Sequence, residues 1–421
     1  MRLSNATLSD GSKVDLVIKN SKIESIEKPT QGGDFDMEGL IALPGFVDLH
    51  THLREPGFES SETVLSGSMA AASGGYTAVF AMANTQPVTD NAGTATQVFE
   101  LGQQAGLVEV RPIGSVTKNL EGKELSAMGS MINSKAGVKI FSDDGHCVSD
   151  ASLMKTAMEY LKPLGGVVAQ HAQEPTLTIG SQVNDGEVAK ITGLKGWPAS
   201  AEESIILRDA LLSEQTGCQL HVCHVTTKLG VELIRWAKQR GFPISAEVTP
   251  HHLMFTELMA SHYNTSYKVN PPLRTQADTE ALIEGLIDGT IDVIGTDHAP
   301  HAADLKDQDW TQAAFGMTGL EQGYQVAHKV LIKSGLSDWK RLVEVMSSKA
   351  ATIAGLGNHG NLEVGSEANI AIVDPNQKSV VKHNRYSKSN NNPYIGQEFD
   401  SAVAHTLFRG KFSYQDSEVV V

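Results

Sequence analysis

Through the middle of the chain, short apolar runs alternate with longer stretches in which apolar residues recur at helical spacing. The runs are FVDLH from residue 46, TAVFAM from 77, VEVRPIG from 108, GVKIF from 137, GVVAQH from 166, QLHVCH from 219, ISAEVT from 244 and DVIGTD from 292. Near-continuous apolar runs of this kind are what strands covered on both faces require. Between them, SETVLSGSMAAASG, NAGTATQVFELGQQAG, AEESIILRDALLSEQTG and TKLGVELIRWAKQRG predict helices, each closing on a glycine that suits a helix C-terminus. Strand and helix in alternation predict parallel βα units, and eight such strands predict an α/β fold with a (β/α)8 barrel of the TIM type.

The two ends of the chain keep a different rhythm. Val14, Leu16 and Ile18, then Ile23 and Ile26, form short strand-like runs broken by Asp10-Gly11 and Asn20-Ser21, and NLEVGSEANIAIVDPN and AVAHTLFRGKFSY repeat the pattern near the other terminus. Residues 1–44 and 356–421 are therefore expected to pair into one small, discontinuous β-sandwich domain. Residues 45–355 form the barrel inserted between them. Low-complexity segments are absent.

Composition narrows the function more than the fold. With 421 residues, 40% hydrophobic and 20% charged, the chain can build a large core in two units. Its formal charge of -15 is spread along the sequence, which argues against attraction to nucleic acid or to an anionic membrane surface. There is no basic patch and no aromatic platform motif. An anionic substrate has to be met by local cations. Cys147, Cys218 and Cys223 form no CxxC pair, which speaks against a disulfide framework or a thiolate zinc site and fits a reducing compartment. The N-terminal stretch MRLSNATLSDGSKVDL has no apolar signal core, and no run approaches the ~20 apolar residues of a membrane span, so a cytoplasmic location is expected.

The chemistry lies where the strands end, because the C-terminal face of such a barrel carries its active site. The first run ends in His50 and His52, the second leads to Asn84, and the fourth to Asp143 and Asp144. The fifth ends in His171, the sixth in His224 and the eighth in Asp297. Residues i and i+2 of a strand share a face, so His50 and His52 can reach one ion while Thr51 turns away. Four imidazoles with carboxylates and no thiolate suit Zn²⁺ and tolerate other divalent first-row ions. A lone strand histidine is more often a hydrogen-bonded structural residue, and FSDDG alone reads as a turn. Convergence from five segments on one barrel end favours a metal site.

Taken together, PGFVDLHTHLREPG, MANTQP, FSDDG, QHAQE, LHVCHVTT, EVTPHHL, VNPPLRT, GTDHAPH and FGMTGLE resemble the amidohydrolase superfamily, and within it the bacterial type I dihydroorotases, over the whole chain. The resemblance implies reversible cyclisation of N-carbamoyl-L-aspartate to L-dihydroorotate in de novo pyrimidine synthesis, with hydroxide held at the metal as nucleophile and Asp297 as general acid and base. It implies one or two Zn²⁺ per chain, two being favoured: His50, His52 and Asp297 hold one, His171 and His224 the second, and Asp144 bridges. Many amidohydrolases use a carboxylated lysine as the bridge, and Lys139 lies on the fourth strand. Strand parity groups Lys139, Phe141 and Asp143 on one face, so Lys139 and Asp143 stand as alternatives to Asp144.

For the substrate, Arg54 offers a planar fork to a carboxylate. By resemblance Asn84 and His301 are further carboxylate contacts, and Asn270 with the backbone at Phe315 and Gly316 meets the ring amides. His251 and His252 stay unassigned, and His221 and His298 read as packing or supporting residues. The polar segment HAADLKDQDWTQAAFG after the eighth strand is expected to order over substrate as a lid. A homodimer is expected, and a complex with aspartate transcarbamoylase is a possible further assembly. The rival readings are an allantoinase or dihydropyrimidinase, and an inactive dihydroorotase-like scaffold for aspartate transcarbamoylase.

Overall fold

The computed structural model describes residues 1–30 and 32–420. Eight parallel strands follow one another around a barrel: Phe46–Thr51, Tyr76–Ala81, Glu109–Pro112, Ile140–Phe141, Val167–Gln170, Gln219–Val222, Ile244–Val248 and Val293–Ile294. Ladders join the first three and the last five. Single parallel bridges, Gly114 to Phe141 and Thr51 to His298, close the two remaining seams.

The runs beginning at 137 and 292 form strands over only two residues each. After Phe141 the chain turns so that Asp143 can accept the N–H groups of Val116 and Thr117. The parity that would have carried Lys139 and Asp143 to one face therefore stops before Asp143.

The four expected helices are present as Val64–Ser73, Ala92–Ala105, Ser200–Thr216 and Lys228–Gln239. Their starts are chemically marked: Asn91 accepts from the N–H groups of Gly93 and Thr94, and Thr227 accepts from that of Gly230. Gly106 and Gly217 end their helices at φ 66° and 67°, a left-handed conformation that a side chain would oppose.

Inside the barrel, Val47, Leu49, Ala78, Phe80, Ile113, Ile140, Val167, Ala169 and Val293 pack as one buried cluster. Each large member contributes about 1.5–3 kcal/mol through burial. The interior is thus a filled core that holds the strand ends rigidly in place.

Strands from both ends of the chain share a single nine-stranded sheet, which includes Arg2–Thr7, Lys13–Lys19, Ile41–Pro44, Ile370–Asp374 and Ala402–Phe408. Ile41–Pro44 pairs antiparallel with Ile370–Asp374, in the register Ala371 to Leu43. Leu3, Leu16, Ile23, Ile370 and Leu407 form the core of this β-sandwich. The segment 383–394 leaves it to run along the barrel: Ser389 donates to the Ser61 carbonyl at 2.7 Å, Ser387 to Glu62 at 2.5 Å, and Asn391 to the Ala299 carbonyl at 2.9 Å. Among the described residues, no helix is long and apolar enough to cross a membrane.

Candidate metal centre

His50, His52, Asp144, His171, His224 and Asp297 are all buried and meet at the C-terminal end of the barrel. Asp144 divides its two oxygens between two pairs of rings. Oδ2 lies 3.4 Å from Nε2 of both His50 and His52, whereas Oδ1 lies 3.1 Å from His171 Nδ1 and 3.1 Å from His224 Nε2. Asp297 Oδ1 closes the first pair, 3.0 Å from His52 Nε2 and 3.4 Å from His50 Nε2. Two three-residue groups of ligating atoms result, sharing Asp144.

Of the three bridge candidates, Asp144 alone lies among the histidines. Asp143 accepts the N–H groups of Val116 and Thr117 at 2.8 and 2.9 Å and also the Thr117 hydroxyl. Lys139, near the start of the fourth strand, donates to the Gly165 carbonyl.

Partners outside the cluster orient the rings. His50 Nδ1 donates to Glu247 at 2.5 Å, and Glu247 also lies 3.1 Å from His221 Nε2. His52 Nδ1 donates to the Asn84 side-chain carbonyl at 2.9 Å, and His171 Nε2 to that of Gln173 at 2.7 Å. A ring that donates from one nitrogen presents a lone pair at the other. The inward nitrogen of His50 is buried and has no hydrogen-bond partner. An orphaned lone pair beside two carboxylates and three other imidazoles fits a divalent metal.

The electrostatics follow from this crowding. Burial opposes charge on Asp144, yet the surrounding imidazoles, His50 foremost and then His171 and His224, outweigh it and hold the carboxyl well below its ordinary range. Asp297 is lowered in the same way, against burial, by His50 and His52. Burial likewise works against a charged His50, but Asp144, Glu247 and Asp297 raise it overall. The backbone also bends to the site: His224 and Asp297 sit at φ 32° and 46°, and Arg54 at 62°. Left-handed backbone at residues other than glycine is held only where the surroundings enforce it, at a cost of about 1–3 kcal/mol each.

The expected substrate residues fall into two groups. Arg54 donates through Nε to the Pro300 carbonyl at 3.1 Å, its Nη2 lies 3.4 Å from His301 Nε2, and that nitrogen donates to the Phe315 carbonyl at 2.7 Å. Burial, then Arg54 and Lys306, push His301 down to about 3, so it is neutral near pH 7. Asn84 and Asn270 lie on the metal side: Asn84 holds His52, and Asn270 donates to the Gln173 oxygen at 3.2 Å while its own carbonyl oxygen is buried and unpartnered.

Three contributors are absent from the sequence reading. Glu247 had a signal, as the one acid within the apolar run ISAEVT. Gln173 and Asn391 had none, since polar residues in loops are commonplace. His251 is buried with both ring nitrogens unpartnered, and burial pushes it down to about 4.

The fold and the buried His/Asp cluster define a metal-dependent amidohydrolase. The same architecture is found in the L-hydantoinase of Arthrobacter aurescens, with a TM-score of 0.89 and 26% identity over 100% of this chain and 97% of that one. The dihydropyrimidinase of Brevibacillus agri shares the fold with a TM-score of 0.85 at 22% identity, over 100% of this chain and 96% of that one. Sequence narrows the class. Residues 39–230 match the family described as dihydro-orotase-like. A dihydroorotase of Leifsonia xyli subsp. xyli is 49% identical over 99% of this chain and 97% of its own length, and one of Streptomyces coelicolor is 51% identical over 98% and 95%. The chain belongs to the dihydroorotase family.

Proposed function

We propose that this chain interconverts L-dihydroorotate and N-carbamoyl-L-aspartate in pyrimidine biosynthesis, as a cyclic amide hydrolase with two Zn²⁺ bridged by Asp144. The observation that carries the reading is the division of the Asp144 oxygens between the His50–His52 and His171–His224 pairs. His50, His52 and Asp297 would hold one ion, and His171 and His224 the other. Zinc bound there supplies Lewis-acid polarisation of the ring carbonyl and acidifies the attacking water.

The chain's own groups then manage position and protons. Arg54 receives the substrate carboxylate, with Asn84 and His301 beside it, while Asn270 and the backbone of Phe315 and Gly316 hold the ring amides. Water adds to the ring carbonyl carbon, and Asp297 takes its proton. The carbon–nitrogen bond breaks, Asp297 returns the proton to the leaving nitrogen, and the ring opens to a second carboxylate and a terminal ureido group. Hydrolysis releases one net proton, so lower pH favours the closed ring.

Residues 1–44 with 356–421 are taken as one discontinuous β domain and 45–355 as the barrel, a division supported by the pairing of Ile41–Pro44 with Ile370–Asp374. A homodimer in the cytoplasm accords with this reading, as do three free cysteines. Association with aspartate transcarbamoylase would appear as co-elution of the two proteins.

The structural neighbours favour one rival, a hydantoinase or dihydropyrimidinase. Arg54 separates the two, since rings without a carboxylate give its guanidinium no partner. Substituting Arg54→Met should lower kcat/KM for L-dihydroorotate at least ~100-fold through the lost charge-assisted bonds. Wild-type protein that opens dihydrouracil or hydantoin but leaves dihydroorotate intact would overturn the assignment.

A further inference from the structure

Among the described residues, two lysines beside the proposed substrate site are buried without a counterion. Lys268 is 1% exposed and Lys306 3% exposed. Lys306 lies at the end of the short helix Ala303–Lys306, and its ammonium donates to three carbonyls: Lys268 at 2.9 Å, Ala314 at 2.8 Å and Gly316 at 2.7 Å. All three N–H bonds are accounted for. Lys268 donates to the carbonyls of Trp310 at 2.5 Å and Ala313 at 2.6 Å, and the centre of the Phe315 ring lies 4.3 Å from its ammonium. The acids of the same segment, Asp304, Asp307 and Asp309, are exposed.

A buried ammonium with no carboxylate partner is expensive, and burial pushes Lys306 down to about 7 and Lys268 to about 8. What the arrangement secures is the backbone at 313–316. The Gly316 N–H donates to the Lys268 carbonyl at 2.9 Å, its carbonyl accepts from Lys306 and from Asn391 at 3.1 Å, and the Phe315 carbonyl accepts from His301. Gly316 sits at φ 145°, and a Cβ there would meet the Ala299 carbonyl at 2.8 Å. Asn391 also accepts the His301 N–H at 3.2 Å. Among the described residues, the Phe315 N–H alone in this turn of chain, 315–316, has no partner.

We infer that Lys268 and Lys306 are positioning residues, paired ammonium clamps that hold 302–316 as a fixed wall of the substrate site and present the Phe315 N–H to the ring. The inference rests on the dihydroorotase reading for the identity of the ring, and on hydrogen bonds alone for the wall. It replaces the lid expected from the polarity of this segment: the segment is already closed before substrate arrives.

The test combines amide hydrogen exchange over 305–316 with steady-state kinetics on zinc-loaded protein. In the wild type, exchange across this segment is expected to be slow and to change less than twofold when an equilibrium mixture of L-dihydroorotate and N-carbamoyl-L-aspartate is added. Lys306→Met should exchange faster there and raise KM for L-dihydroorotate about tenfold, with kcat within threefold. Lys268→Met should move in the same direction, and the wild-type exchange stands whether or not either variant folds. Fast wild-type exchange that substrate suppresses would restore the lid and overturn the inference, as would an unchanged KM in both variants. If the wild type left dihydroorotate untouched, the functional reading would fail, while exchange in wild type and Lys306→Met would still decide whether the clamps hold the wall.

Discussion

Three histidines of the centre, His50, His52 and His171, are fixed at two points, and the outer point is as informative as the inner one. Glu247 holds His50 through Nδ1 at 2.5 Å and so directs the orphaned Nε2 inward. Glu247→Gln keeps the shape but exchanges an ionic acceptor for a neutral amide. It should weaken zinc binding about 10–100-fold, the usual effect of losing a ligand's supporting partner, in competition with a chromogenic chelator. An unchanged zinc affinity would reduce Glu247 to a packing role. At this scale the convergence of the four histidines was legible, because His-x-His and the strand-end positions need only the two-residue period of a strand. The choice between Asp143 and Asp144 was not: it depends on where the fourth strand stops, and that is decided by the bonds from Val116 and Thr117 to Asp143.

The strands and the glycines between them make room for those anchors. A Cβ on Gly295, directly after Val293–Ile294, would lie 2.5 Å from Glu247 Oε2. Gly295→Ala must displace the carboxylate that holds His50, so a loss of about 1–3 kcal/mol is expected, visible as a lower Tm, together with lost zinc. A variant with wild-type Tm and full zinc would contradict this account of the strand end. Helix positions were readable from the sequence because their caps are local chemistry, as with Asn91 and Gly106. Strand lengths were less so, since the ends of Ile140–Phe141 and Val293–Ile294 answer to side chains far away in sequence. The crossing of 383–394 to the barrel was likewise invisible, because its bonds through Ser387, Ser389 and Asn391 follow no period.

Across the whole molecule, the acidic chain of net charge -15 gathers three cations where its anionic substrate would bind. Arg54, Lys268 and Lys306 are all shifted down, chiefly by burial. Histidines outside the metal cluster set the acid limit. Burial lowers His251 to about 4 and His301 to about 3, so between those values and 6.5 the unfolded chain binds protons that the folded one does not. Stability therefore falls as pH drops below about 6.5. Thermal melts of zinc-loaded protein should show a lower Tm at pH 5 than at pH 7.5, and a Tm that rises on acidification would contradict the sign. The barrel and its joined ends were legible in the alternation of the sequence. The wall at 302–316 was not, since its polar sequence conceals one buried lysine, Lys306, and it leans on a second, Lys268, from elsewhere in the chain.

The most direct measurement is loss of L-dihydroorotate followed by ultraviolet absorbance, on protein of known zinc content, before and after a chelator and again after zinc is restored. The account predicts turnover that falls with zinc removal, returns with zinc, and is accompanied by little or none on allantoin or dihydrouracil. Zinc-loaded protein that leaves L-dihydroorotate unchanged, or turnover indifferent to zinc removal, would contradict it.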